Sequence, residues 1–233
     1  MAYTDIDDPS AYFQTFTYTG NQSSRQITLD GNSDLQPDLY WYKARNANHH
    51  YWVDSSRGTT KYIYSSLANA EATVASAYVT SFNTNGFGVG GGDSGTNANG
   101  ISFGNWAWKA NGGTTASNTD GSLTSTVQAN QDAGFSIVTY TAADSDEVIG
   151  HGLGVTPDVI IIKRRDAGSS PWTVFFPYLT STNKQMYLNQ TTALDTNNVK
   201  EVGASTFRVS GWQAVAVANG TYVAYCFASK QGY

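Results

Sequence analysis

One motif is written twice in this chain. Pro37-Asp38-Leu39-Tyr40-Trp41-Tyr42-Lys43-Ala44-Arg45 returns as Pro157-Asp158-Val159-Ile160-Ile161-Ile162-Lys163-Arg164-Arg165. The echo extends upstream, where Phe13 and Thr17-Tyr18-Thr19 recur as Phe135 and Thr139-Tyr140-Thr141. Downstream, Trp52 matches Trp172, Lys61 and Tyr64 match Lys184 and Tyr187, and Phe82 and Gly86 match Phe207 and Gly211. Phe103, Trp106 and Trp108 have counterparts in Tyr222, Tyr225 and Phe227. A period this long exceeds the roughly 20–50 residues of a solenoid unit and points to a duplicated domain. The expected division is a first repeat with an acidic leader over 1–110, a linker over 111–120 and a second repeat over 121–233.

Thr, Val, Ile, Tyr and Trp suit pleated, half-buried surfaces. Aromatic residues make up 13% of the chain, as many as the charged ones, while glutamate is limited to Glu71, Glu147 and Glu201. Alternating runs separated by turn signals predict strands at Tyr12–Thr19, Ile27–Leu29, Leu39–Arg45, Tyr51–Asp54, Lys61–Tyr64, Val79–Phe82, Gly86–Val89 and Ile101–Trp108. Leu67–Ala77 reads as loop or short helix, and Ser122–Val127 as the first strand of the second repeat. Trp212–Ala218 reads as a strand or hairpin. The fold expected is all-β: two tandem, duplicated antiparallel β-sandwich domains of jelly-roll or lectin-like type.

Net charge is −5. That argues against nucleic-acid binding, which needs a basic footprint, and against an anionic membrane surface. No apolar run reaches the length of a membrane span, and the acidic start has no signal-peptide core. The chain is therefore expected to be made in a cytoplasm without membrane insertion. Cys226, the lone cysteine, lies in an apolar run and reads as a small buried hydrophobe.

The candidate chemistry is sparse. His49-His50 would point to opposite faces of a strand and lacks the further ligands a zinc site needs. Gly150-His151-Gly152-Leu153-Gly154 resembles a dinucleotide fingerprint, but a strand follows where a helix is required, so it reads as a turn. Asp93 sits in a glycine-rich loop without a dense carboxylate set for calcium. Asp38 and Asp158 read as strand-entry hydrogen-bond acceptors, and Lys43, Lys163, Arg45 and Arg165 as strand-end ion pairs or carbonyl caps. No nucleophile–base constellation, metal set or cofactor motif is legible, so no catalytic residue and no cofactor is assigned. The Gly90–Gly100 loop has no counterpart in the second repeat and reads as an exposed tip. Asp93, Asn97 and Asn99 on it, with Trp41 and Tyr51 as aromatic contacts, are the candidate ligand or partner residues.

Several stretches together resemble a family of marine bacteriophage virion proteins of the cyanophage and pelagiphage kind. They are Asp7-Asp8-Pro9-Ser10-Ala11-Tyr12-Phe13-Gln14, Leu35–Lys43, Asp54-Ser55-Ser56-Arg57-Gly58, Ser81–Phe87, Gly134–Tyr140, Gly150–Gly154 and Tyr222–Phe227. The resemblance covers essentially the whole chain. It implies lectin-type or jelly-roll repeats and membership of the virion, among tail or fibre-like proteins, and it brings no catalytic motif.

The function expected is thus a non-enzymatic structural protein on the particle surface, a capsid decoration or a small tail or head fibre, attaching to a host surface. The alternative is a carbohydrate-binding module reading host glycans. A depolymerase with its site at a subunit interface is the remote third reading. Few charges guard the sheet edges, so a symmetric oligomer is expected, a trimer being one arrangement. Further expected partners are major capsid or tail proteins and a host glycan. The leader, Ala2–Pro9, is expected to be ordered only by a partner.

Overall fold

The computed structural model describes residues 4–46, 49–74, 78–91, 95–176, 184–196 and 198–232. The chain forms two compact units. The first holds residues 4–66 and 71–113 with Gly232, and the second holds Leu67–Ala70 and Thr114–Gln231. All regular structure among the described residues is strand, apart from one 3-10 turn at Pro9–Ala11.

The first unit contains β1 (Phe13–Thr19), β2 (Arg25–Ile27), β3 (Leu39–Ala44), β4 (His50–Asp54), β5 (Lys61–Tyr64), β6 (Ala72–Thr73), β7 (Val79–Asn83), β8 (Gly86–Val89) and β9 (Ser102–Trp108). They make an antiparallel six-stranded sheet, β1-β9-β3-β4-β5-β6, and a three-stranded sheet, β2-β8-β7. Period-two alternation sends Tyr40, Tyr42, Tyr51 and Val53 from the large sheet against Ile27, Val79, Phe87 and Val89 from the small one. Tyr40 and Phe87 meet at 4.1 Å between ring centres, and Tyr42 stacks on Tyr51 at 4.9 Å. Tyr40 hides its hydroxyl by donating to the Asn105 Oδ1 at 2.6 Å. A fully buried ring of this kind contributes about 2 kcal/mol over its exposed state.

The second unit contains β10 (Ala116–Asn118), β11 (Ser125–Asn130), β12 (Phe135–Thr141), β13 (Asp146–Gly150), β14 (Val159–Arg164), β15 (Thr173–Phe175), β16 (Lys184–Tyr187), β17 (Asp195–Thr196), β18 (Val199–Lys200), β19 (Thr206–Ser210) and β20 (Thr221–Phe227). Its sheets run β10-β11-β12-β20-β14-β15-β16-β17 and β13-β19-β18. The core between them collects Val138, Tyr140, Ile160, Ile162, Ile149, Phe207, Val209 and Tyr222. Each unit is thus an antiparallel β-sandwich.

The two units share strand order and also register. Phe13 faces Trp108 as Phe135 faces Phe227, and Ile27 faces Phe87 as Ile149 faces Phe207. Val79 faces Val89 as Val199 faces Val209. This register corrects three of the sequence matches, and Gly86 takes the place of Thr206, not Gly211. Phe207 corresponds to Phe87, not Phe82. Trp41 faces Trp52 as Ile161 faces Val174, so Trp52 corresponds to Val174, not Trp172.

Three further expectations change. The segment 111–120 is not plain linker, because Ala116–Asn118 pairs with Ser125–Val127. Its Ser, Thr and Asn content imitates a linker, yet threonine and serine tolerate an edge strand well. Trp212–Ala218 is a compact turn, with Val215 N–H and Ala216 N–H donating to the Trp212 carbonyl. Ala214, Val215 and Ala216 are buried there, so apolar alternation marked burial rather than a strand. The described part of the leader is already held within the chain. Ile6 is 4% exposed, and Asp8 accepts from Ser10 N at 2.9 Å, Ser10 Oγ at 2.7 Å and Ser33 Oγ at 2.6 Å. The Ser33 and Ser10 hydroxyls hold the Asp8 carboxyl below its ordinary pKa.

Candidate functional site

The two units differ at one sheet edge. In the first, β1 is the outermost strand of its sheet. Lys109 N–H donates to Tyr12 O at one end of β1, and Gly20 N–H to Ile101 O at the other. Antiparallel pairs alternate between bonded and non-bonded, so the even-numbered residues of β1 bond to β9. The main-chain groups of Thr15 and Thr17 therefore point away from the sheet. In the second unit the same alternation, fixed by Ala228 N–H to Gly134 O and Ala142 N–H to Gly220 O, turns Ile137 and Thr139 outward. There they meet Gln128 and Thr126 of β11. The position that the chain fills for β12 is open for β1.

A groove of about 750 Å³ runs along this open edge. Thr15, Thr17, Gly104 and Trp106 line it on one face of the sheet. Phe16, Tyr18 and Asn105 line it on the other, and Gln26, Ile27, Thr28 and Asp30 close it from β2 and the following turn. Thr15, Thr17, Gln26, Thr28 and Asp30 are exposed, and Trp106 is half-buried. Tyr18 is fixed by stacking on Phe103 at 5.1 Å and by donating its hydroxyl to Thr96 O at 2.5 Å. Arg25 lies 5.7 Å above its ring and donates to the Thr19 carbonyl, which ends the open stretch of the edge. The groove offers aromatic surface, hydroxyls, the amides of Gln26 and Asn105, and one carboxylate, Asp30. General acid–base chemistry on a glycosidic bond uses two carboxyl groups flanking it.

The residues singled out from the sequence do not gather here. Trp41 is half-buried on the sheet face opposite the core, between Trp52 at 5.3 Å and Trp106 at 5.0 Å. It thus reaches the groove only through Trp106. Tyr51 is 5% exposed and packs on Tyr42, Tyr62 and Tyr78, so it is a core residue rather than a contact. Asp93 lies outside the described residues. Asn99 is exposed, but Asn97 is 0% exposed. Its Nδ2 donates to Ser23 O and Gly90 O, both at 2.8 Å, and its Oδ1 accepts from Asn21 N at 3.0 Å. The expectation of an exposed contact thus fails for Asn97 and holds for Asn99. The Asn97 amide joins the start of the loop to the turn after β1 by satisfying one carbonyl from each, which requires burial.

The remaining motifs are structural. Asp38 is 0% exposed and accepts from Ser55 Oγ at 2.6 Å, Ala110 N at 2.8 Å and Gly112 N at 2.9 Å, which fastens the exit of β9. Asp158 accepts from Ser229 N at 2.6 Å after β20. His151 is buried: its Nε2 donates to Gly203 O at 3.0 Å and its Nδ1 accepts from Leu153 N at 3.2 Å. Burial lowers its pKa and favours the neutral ring. Gly152 and Gly154, at φ of 74° and 72°, make the turn that surrounds it. Burial pushes the Cys226 thiol up to about 12, so it is inert as a nucleophile. Lys163 is 0% exposed, donates to Ser170 O at 2.8 Å and Ala68 O at 3.2 Å, and is drawn down to about 8 by burial. Among the described residues, no cluster of three or more His, Cys, Asp or Glu side chains could hold a metal ion.

The groove and the open edge were missed in the sequence, yet an unequal flank signals them. A strand-like run, Ser122–Val127, precedes Phe135, whereas acidic residues and Pro9 precede Phe13.

Fold and edge together define a two-sandwich β-protein in which β1, among the described residues, lacks the neighbour that its counterpart β12 has. Over residues 8–233 the chain matches a domain of unknown function, DUF7483, and it belongs to that family. No curated protein and no solved structure matches it.

Proposed function

We propose that this is a non-enzymatic structural protein on the surface of a bacteriophage particle, a capsid decoration or a small tail or head fibre, built from a duplicated β-sandwich. The observation that carries this reading is the contrast at the sheet edges. The chain presents two sandwiches of one design, and among the described residues it covers β12 with the strands β11 and β10 while nothing equivalent covers β1. An open edge on a rigid scaffold is an assembly surface. The buried roles of Asp38, His151, Lys163 and Cys226 support the reading, because they leave the chemistry-bearing side chains occupied with holding the fold. Cryo-electron microscopy of purified particles tests it: density for two adjacent sandwiches on the particle exterior is the expected result. A protein abundant in infected cells but absent from purified particles defeats the assignment.

One observation favours a second reading, recognition of a host glycan. The groove sets Trp106 beside the hydroxyls of Thr15 and Thr17, the Gln26 amide and the Asp30 carboxylate, a mixture suited to sugars. Binding on a glycan array that Trp106→Ala abolishes supports it, and an array without signal removes it.

A further inference from the structure

We infer that β1 pairs antiparallel with β1 of a second copy of this chain, joining two six-stranded sheets across a two-fold axis. The main-chain groups of Thr15 and Thr17 point outward along an edge with no strand partner among the described residues. Such a row of donors and acceptors is a template for another strand. The second unit identifies the chemistry of the strand that belongs there. At the matching position Thr126–Asn130 of β11 lies antiparallel on β12, uncharged, with Thr126 directly opposite Thr139. Strand β1 has that same chemistry. Phe13–Thr19 carries no charge and no proline, the usual guards of an exposed edge.

Pairing β1 with itself about Phe16 sets Thr15 against the second copy's Thr17, and Thr17 against the second copy's Thr15. Both residues expose their main-chain groups outward, so these are hydrogen-bonded pairs in register. The threonine-on-threonine contact of Thr126 with Thr139 is thereby reproduced, and cross-strand pairs of this type are favourable. Arg25, bound to the Thr19 carbonyl, limits the pairing to the centre of the strand. The symmetry is isologous and gives a closed dimer.

The inference deepens the assembly reading, and its test uses the purified full chain. Sedimentation velocity over a micromolar concentration range is expected to show a monomer–dimer equilibrium. Hydrogen exchange is expected to show protection of the Thr15 and Thr17 amides rising with concentration. Thr17→Lys and Thr17→Pro should both yield monomers that melt close to the wild-type monomer at low concentration, because Thr17 is exposed and its N–H makes no bond within the sheet. A monomer at every concentration with fast exchange at Thr15 and Thr17 overturns the inference. So does a dimer that survives both substitutions, since its interface then lies elsewhere. Protection that appears only on adding a host polysaccharide also overturns it, in favour of the glycan reading. A β1-paired dimer absent from purified particles removes the virion assignment and leaves the pairing intact.

Discussion

Strands β1 and β12 hold the same place in two sandwiches of one register, yet β12 is covered by β11 and β1 has no such neighbour among the described residues. A second difference lies at the end of β4 and of its counterpart β15. In the first unit Asp54 is buried with Arg57 at 2.6 Å, and Arg57 reaches Glu71 at 2.9 Å. The pairing register puts the apolar Phe176 at the Asp54 position of the second unit. The lesson is that the two units keep one strand order and one register, while their edges and strand ends are completed differently, by ions, by apolar side chains or by another strand.

The largest expected effect comes from the ion cluster. Arg57→Ala leaves the Asp54 carboxylate buried beside an empty space and should cost about 3–5 kcal/mol in urea unfolding. A loss under about 1 kcal/mol would mean that the first unit relies on this corner no more than the second does. Next is the edge itself. Gln128→Pro removes a ladder bond to Ile137 in mid-sheet and should cost about 3 kcal/mol or more. Thr15→Pro, at an outward N–H of β1, should cost less than about 1 kcal/mol in the monomer. Equal losses measured by thermal unfolding would erase the distinction between a covered and an open edge.

The repeated Pro-Asp entry gives a smaller contrast. Asp38→Asn sets an amide against the N–H donors of Ala110 and Gly112 and should cost about 2 kcal/mol, whereas Asp158→Asn should cost about 1 kcal/mol or less. Calorimetry of both variants decides it. The smallest effect is a pH slope. The folded pKa of Lys163, about 8, lies below the ordinary lysine value, so between the two the unfolded chain binds more protons and stability rises with pH. That increment is present above the unfolded pKa and lost as pH falls through 8. Lys163→Met should flatten the slope of urea midpoints between pH 8 and about 9.5.

Most strands were legible because alternation reports directly on which face is buried, as in Leu39–Ala44 and Ser102–Trp108. The all-β class followed from the same signal. What escaped was whatever depends on distant partners. Asn97 looked like an exposed loop residue because composition says nothing of the inward carbonyls of Ser23 and Gly90. Tyr51 looked like a contact because an aromatic strand reads alike whether its partner is a ligand or four other tyrosines. The groove joins two strands from different sheets, β1 and β2, and no local pattern encodes that meeting. The match of Trp52 to Trp172 followed identity, while the chain followed pairing.

Strand β1 also has a history on the ribosome. Its sheet partner β9 begins about 90 residues later, so at ordinary elongation rates β1 waits unpaired for roughly 5–20 seconds. Strand β12 waits as long for β20, but β11 has already emerged and closes with it into a hairpin across a four-residue turn at residues 131–134. Neighbouring ribosomes on one message hold first-unit strands unpaired and uncharged, so under the proposed pairing the nascent chain is the earliest setting in which two copies of β1 meet.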